Sequence, residues 1–279
     1  MGYYCCATII TTVETIILLH NICSFIPDTK IDKEYVLNYD LCHVLRIFEH
    51  QISGMGRCEH CIARQLSSMN SMTKEELKRV SDCKTTKFYK KGDIIFDEGE
   101  SLNGVYCVRD GVAKLTKLSA NGKDQTVKLL GKGELLGQRS VISDERTNLC
   151  AVALNDIELC YVPKDQIITS LHENSEFSFD VLQHLAKDLK ASEDDLINMA
   201  QKSVKQRLAE ALLHVQNSFG VDSNGYLDIV LSREDYASIV GTATESAIRI
   251  LSQFKKEDLI STKGKQIKIE NIEGLKRIE

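Results

Sequence analysis

The stretch that most constrains this chain is Leu231–Ile260, LSREDYASIVGTATESAIRILSQFKKEDLI, which reads as two short helices around a tight turn. Ser232 stands where a hydroxyl caps the first helix, with Asp235 three residues on at the capping-box position. Gly241 is placed to end that helix in the left-handed conformation. Thr242 is then expected to cap the second helix, with Glu245 completing another box and the helix running to about Lys256. Ala247, Ile250, Leu251 and Phe254 recur at helical spacing and predict a buried stripe. Thr244, Glu245, Ile248, Arg249 and Ser252 lie off that stripe, and contact with water alone does not call for an isoleucine there.

A helix of this size fits the DNA major groove. There Glu245 can accept from cytosine N4 and Arg249 can take guanine O6 and N7 bidentately. The same two residues, four apart, also read as an ion pair on a solvated helix. Downstream, Asp258–Ile269 gives a helix end, a short apolar strand, a turn at Lys263-Gly264-Lys265 and an alternating strand Gln266–Ile269. This is a winged helix-turn-helix, with Lys263 and Lys265 at the hairpin tip where phosphates can be met; hairpin tips are also commonly charged simply because they are solvated.

Residues 231–269, with IVGTATESAIRIL at Ile239–Leu251, resemble the DNA-binding domain of the CRP/FNR family of bacterial transcription regulators. The resemblance implies that Glu245 and Arg249 read base edges, with Thr242, Thr244 and Ile248 beside them. At the preceding contact position CRP-type members carry Arg where this chain has Thr244. FNR-type members place serine just before the arginine where this chain has Ile248. The target sequence is therefore expected to differ from both.

The remaining chain fits that resemblance from about Cys58 onward. Between Phe88 and Val162 short β-rich runs alternate with glycines, and Asn121-Gly122 gives a hairpin signal, so a compact antiparallel β-roll is expected. KKGDIIFDEGE, GVYCVRDGVAKL and GELLGQRSVIS resemble the cyclic-nucleotide-binding fold. In CRP a Gly-Glu pair takes the ribose of cAMP and an Arg-Ser pair the phosphate. Here those positions read Gly137-Gln138 and Arg146-Thr147, and Arg139 adds a cation; these departures argue against cAMP and leave another anionic effector open. Arg146 also reads as a surface arginine paired with Asp144 or Glu145. Gly131–Arg139 lacks the Gly-Lys-Ser/Thr of a nucleotide-hydrolysing loop. No nucleophile–base arrangement appears either, and an enzyme is not expected.

From Glu176 to Phe219 the pattern is helical, with Leu182, Leu185, Leu189, Ser192, Leu196, Met199 and Ser203 in alternating steps of three and four. So narrow a seam favours pairing with a second copy of the same helix, as in the family dimer. The resemblance places Ser192 where CRP has a hydroxyl that reaches the ligand; it also reads as a polar break in the seam. A hinge is expected near Ser203.

FNR-type members hold an iron–sulfur cluster with an N-terminal Cys-x-x-Cys-x5-Cys and one cysteine in a central strand. Cys58, Cys61 and Cys160 fall on three of those positions, and Ser67 departs at the fourth. Cys83, Cys42 or an N-terminal cysteine could substitute, and zinc in place of iron, a thiol switch or plain packing are the other readings. Ten cysteines without a recognisable secretory signal suggest a reducing compartment.

The net charge of −5 argues against a general polyanion binder, and Ser203–Glu279 balances 11 basic against 11 acidic residues. DNA affinity must then come from local charge placement and from dimerisation. The apolar run Ala7–Pro27 has no positive flank and is interrupted by Glu14 and His20, so no membrane span is expected.

The reading is thus an α+β chain with four parts. Residues 1–54 form an extension of unknown role, or an upstream start. Residues 55–175 form a sensor β-roll, 176–202 a dimerisation helix, and 203–279 a winged helix-turn-helix. It implies a cytoplasmic, homodimeric regulator of double-stranded DNA, with RNA polymerase a partner by resemblance. The rival is a metal- or thiol-based redox sensor that acts mainly through protein partners.

Overall fold

The architecture is known from a computed structural model, which describes residues 58–278 other than 59, 60, 66, 120, 121 and 123. The extension read at 1–54, with Cys42, lies outside those residues, as do the apolar run Ala7–Pro27 and Asn121. Among the described residues no helix is long and apolar enough to cross a membrane.

The chain enters through a short α1 (Ile62–Gln65), a 3-10 turn (Ser68–Ser71) and α2 (Lys74–Cys83). Thr73 caps α2 in a full capping box with Glu76. The β-rich runs then form two antiparallel four-stranded sheets. One has the order β1 (Thr85–Tyr89), β8 (Ile157–Pro163), β3 (Gly104–Asp110), β6 (Leu135–Leu136). The other has the order β2 (Ile94–Phe96), β7 (Cys150–Ala153), β4 (Ala113–Leu118), β5 (Asp124–Leu130). The expected β-roll is therefore present. Its core is built from apolar residues of both sheets, among them Val105, Leu136, Leu159 and Val162 of the first and Phe96, Ala113, Leu130 and Ala151 of the second.

Helix α3 (Gln138–Ser143) interrupts the roll between β6 and β7. Gly137, at its head, has φ +81° and lies so close to Leu102 that an added Cβ would stand 2.6 Å from its Cδ1, so only glycine fits there.

After α4 (Lys164–Glu173) comes α5 (Ser175–Gln201), the long helix read from the heptad pattern. Its first turns are buried through Phe177 and Val181. Further along, Leu182, Leu189 and Leu196 are 61–72% exposed among the described residues, an apolar seam along α5. Ser203 caps α6 (Val204–Phe219) in a capping box with Gln206, which fixes the bend where the hinge was expected.

The C-terminal part is a winged helix-turn-helix: α7 (Arg233–Val240), α8 (Thr244–Lys256), β9 (Ile260–Lys263), β10 (Gln266–Ile269) and α9 (Ile272–Lys276). Its core gathers Leu208, Leu212, Tyr236, Ile250, Leu251 and Phe254, and also Val112 and Leu154 from the roll. This second core thus borrows side chains from the domain of the first.

Candidate functional site

The outer face of α8 is set by what its inner face must bury. Ala247, Ile250, Leu251 and Phe254 are buried as the spacing requires, and this turns Glu245, Ile248, Arg249 and Ser252 outward. Ile248 is 46% exposed although apolar. No ion pair joins Glu245 to Arg249 among the described residues, so the reading of these two as a mere helix-surface pair has no support. The Ser252 hydroxyl is spent on the Ile248 carbonyl one turn back, at 2.8 Å.

The turn before α8 corrects one expectation. Ser232 does cap α7 with Asp235 in a capping box, and Gly241 does end it in the left-handed region at φ +64°. The cap of α8, however, is Ala243 and not Thr242, with no side-chain hydrogen bond. Thr242 instead gives its backbone N–H to the Ala237 carbonyl, completing the turn after Gly241, and Glu245 is left without a cap to close. Thr242 and Thr244 are half-buried beside the exposed residues.

The β9–β10 hairpin places Lys263 and Lys265, both exposed, on either side of Gly264 at φ +62°. Arg233 at the head of α7 donates to the Gly264 carbonyl at 3.3 Å and so ties the wing to the first helix.

The loop in which the sequence suggested an effector cassette is held by backbone bonds. Gly99 N–H donates to the Thr147 carbonyl at 2.7 Å, and Thr147 N–H to the Glu100 carbonyl at 2.9 Å. Arg146 pairs with neither Asp144 nor Glu145; its guanidinium donates to the Gly99 carbonyl at 2.8 Å, while Asp144 binds Lys164. Thr147 is buried, with its hydroxyl on the Leu149 carbonyl at 2.7 Å. Gln138 opens α3 half-buried, and Arg139 is engaged with Asn148. Ser192 sits on the exposed part of α5 and donates to the Asp188 carbonyl at 2.9 Å. Arg146 and Thr147 are thus both tied to the Gly99–Glu100 turn, Gly137 lies against Leu102, and Ser192 is left on the exposed part of α5.

Of the sequence-predicted cysteines, Cys58 and Cys160 are buried and Cys61 is half-buried. The sequence reading missed Cys107. It stands directly opposite Cys160 in the β3–β8 pair and is equally buried. Burial pushes the Cys107 thiol up to about 12, with Cys160, Cys61 and Cys58 adding to the rise in that order. Cys160 is also raised by burial, and Lys84 partly offsets it. Only strand pairing brings Cys107 to this group, so no spacing rule would have found it. Ser67 is buried; its hydroxyl accepts from Met69 N–H and donates to the Arg64 carbonyl, which explains a serine there as a cap.

A second missed contact joins the roll to α7. Lys114 Nζ meets Asp235 Oδ1 at 2.7 Å with both side chains mostly buried. The Ser238 hydroxyl donates to the Asp124 carbonyl at 2.7 Å and accepts from Thr126 N–H at 2.8 Å.

Known proteins of this shape point one way. A model of the cyclic nucleotide-binding domain matches residues 86–174, and a model of the Crp-like helix-turn-helix domain matches residues 206–278. An anaerobic regulatory protein of Bacillus subtilis is 28% identical over 63% of this chain and 76% of its own length. A CRP-like cAMP-activated global transcriptional regulator of Mycobacterium tuberculosis is 24% identical over 68% of this chain and 85% of its own. In fold, FixK2 of Bradyrhizobium japonicum is similar with a TM-score of 0.62, at 24% identity over 69% of this chain and 95% of that one.

Proposed function

The chain belongs to the CRP/FNR family of transcription regulators, and from that premise we propose that it is a homodimeric, sequence-specific reader of double-stranded DNA, controlled by a signal received in the β-roll. The observation that carries this is the outer face of α8. Burial of its apolar stripe leaves Glu245, Ile248 and Arg249 outward, unpaired and mutually adjacent. A solvated helix gains nothing from an exposed isoleucine between a free carboxylate and a free guanidinium. A major-groove edge does: cytosine N4 for Glu245, a thymine methyl for Ile248 and guanine O6/N7 for Arg249.

Phosphate contacts at the wing would come from Lys263 and Lys265, fixing register without reading sequence. With no net basic charge to supply affinity, two reading helices in a two-fold dimer are needed. The exposed Leu182–Leu189–Leu196 seam of α5 is the surface that supplies the second copy. The work is that of a cytoplasmic regulator, with RNA polymerase the expected downstream partner. The rival reading, in which the helix-turn-helix docks proteins, gains nothing from this face.

The relatives' names divide between an anaerobic and a cAMP-activated regulator, so the signal must be sought in this chain's own residues. The engaged Arg146 and buried Thr147 weigh against cAMP at the family position. The test is titration of labelled duplexes selected by the full-length chain. Arg249→Ala should lose about 1–3 kcal/mol and relax preference at one base pair per half-site. Unchanged affinity and preference in that variant would overturn the reading.

A further inference from the structure

Lys202 and Ser203, both in extended conformation, are all that join α5 to α6 along the chain. A joint of that kind turns about a few backbone dihedrals, and by itself it leaves the helix-turn-helix free to swing against the roll. The swing is stopped at three places away from the joint. Lys114 of β4 meets Asp235 in the first turn of α7 at 2.7 Å. One turn on, the Ser238 hydroxyl is held by β5: it donates to the Asp124 carbonyl at 2.7 Å, accepts from Thr126 N–H at 2.8 Å and lies 2.8 Å from the Thr126 hydroxyl. Val112 and Leu154 of the roll are buried in the core of the helix-turn-helix. Thr126 is itself buried, so the polar groups that meet there lose more when unpaired than water returns.

The roll is in turn one body with α5. Phe177 and Val181 of α5 are buried in the core of the roll, and Lys128 of β5 meets Asp188 of α5 at 2.8 Å. Strand β5 thus holds the seam-bearing helix through Lys128 and α7 through Thr126. None of these contacts uses Glu245, Ile248 or Arg249, which stay exposed while the grip is closed.

We propose that Lys114, Thr126 and Ser238 determine specificity for operator spacing. By locking each helix-turn-helix to its own roll and α5, they fix the distance and angle between the two α8 helices of the dimer, so that the chain accepts inverted repeats of one half-site spacing. The inference rests on the dimeric DNA reading proposed above and adds a selectivity that Glu245 and Arg249 do not supply. Two base pairs inserted between half-sites move one of them about 7 Å along the duplex and about 70° around it. A gripped domain cannot follow. The second half-site is then lost, and with it an avidity gain of about 10²–10⁴. A domain held by the joint alone can turn to meet it.

The experiment measures binding of the full-length chain to labelled duplexes carrying the inverted repeat it selects, at the selected spacing and with two base pairs added to or removed from the spacer. Wild type should lose about a hundredfold or more in affinity on either change. Ser238→Ala, on the gripped helix, and Thr126→Val, on the roll and outside the DNA-binding domain, should each cut that penalty to about tenfold or less while keeping the preferred bases within each half-site. A mere loss of stability would weaken binding at every spacing alike, so the ratio between spacings isolates the positioning role. Thr126→Val judges the proposal even if Ser238→Ala does not fold. A wild-type chain that binds every spacing within about tenfold, or variants that both keep the wild-type penalty, would overturn it. Arg249→Ala separates this inference from the reading beneath it. Unchanged base preference in that variant sinks the reading, whereas a wild type that needs Arg249 for its base preference and yet tolerates every spacing sinks the inference alone.

Discussion

Lys114 on β4 of the roll and Asp235 on the first turn of α7 form an ion pair at 2.7 Å, with side chains only 18% and 15% exposed. Asp235 serves twice, because its other oxygen accepts from Ser232 N–H at 2.9 Å and so closes the cap of α7. The pair pins the head of the helix-turn-helix to the β-roll. Lys114→Met, which keeps the aliphatic stem but strands the carboxylate, should destabilise the chain by on the order of 3 kcal/mol. Chemical denaturation, and faster hydrogen exchange in α7, would register it. An unchanged midpoint would show that the contact contributes nothing.

The same pair predicts an acid dependence. Burial alone would raise the pKa of Asp235, but the hydrogen bonds from Lys114 and Ser232 outweigh it and hold the carboxyl below its ordinary 3.8. A group depressed in the folded state gives stability that is complete above the unfolded pKa and is lost as pH falls through the folded one. Wild type should therefore lose this contribution only below 3.8, and Asp235→Asn should flatten that part of the acid limb in melts. An unaltered acid limb in the variant would contradict the assignment.

Gly241 joins α7 to α8 at φ +64°, and an added Cβ would stand 3.3 Å from both Gln125 and the Met199 sulfur. Gly241→Ala should cost roughly 1–2 kcal/mol from the left-handed backbone alone. Thermal melts would read it as a lower Tm, and DNA affinity should fall with the shift of α8. A variant as stable as wild type would mean that the turn relaxes freely.

What could be read from the sequence was whatever repeats locally. The capping box at Ser232, the left-handed Gly241 and the two-faced α8 are each set by residues within one or two turns, and each is found where its spacing put it. The cap of α8 was misplaced because Thr242 is drawn into the turn by a backbone bond to Ala237, which overrides its preference to cap. Cys107 and Lys114 were invisible for a different reason. Their partners, Cys160 and Asp235, lie 53 and 121 positions away and meet them only through strand pairing and domain docking. Arg146 looked free for a phosphate because nothing in its neighbourhood announced Gly99, 47 residues earlier, as its acceptor.

The seam makes a prediction about assembly. Leu189 and Leu196 are 61% and 72% exposed on one side of α5. Leu189→Glu would bury two carboxylates against each other at a paired interface, so the variant should sediment as a monomer while keeping its melt. Its DNA affinity should fall far more than that of Lys265→Ala. The latter removes at most one phosphate contact and should lower the salt slope by about 0.9. A dimeric Leu189→Glu chain would place the interface elsewhere.

The central claim, that two copies of α8 read DNA from a two-fold dimer, is tested most directly by selecting duplexes from a randomised pool with the full-length chain and sequencing those retained. The account predicts an inverted repeat whose half-sites are centred about one helical turn, 34 Å, apart, with a preference at one position per half-site that Arg249→Ala erases. Enrichment of a single asymmetric site, no enrichment, or an inverted repeat unchanged by Arg249→Ala would contradict it.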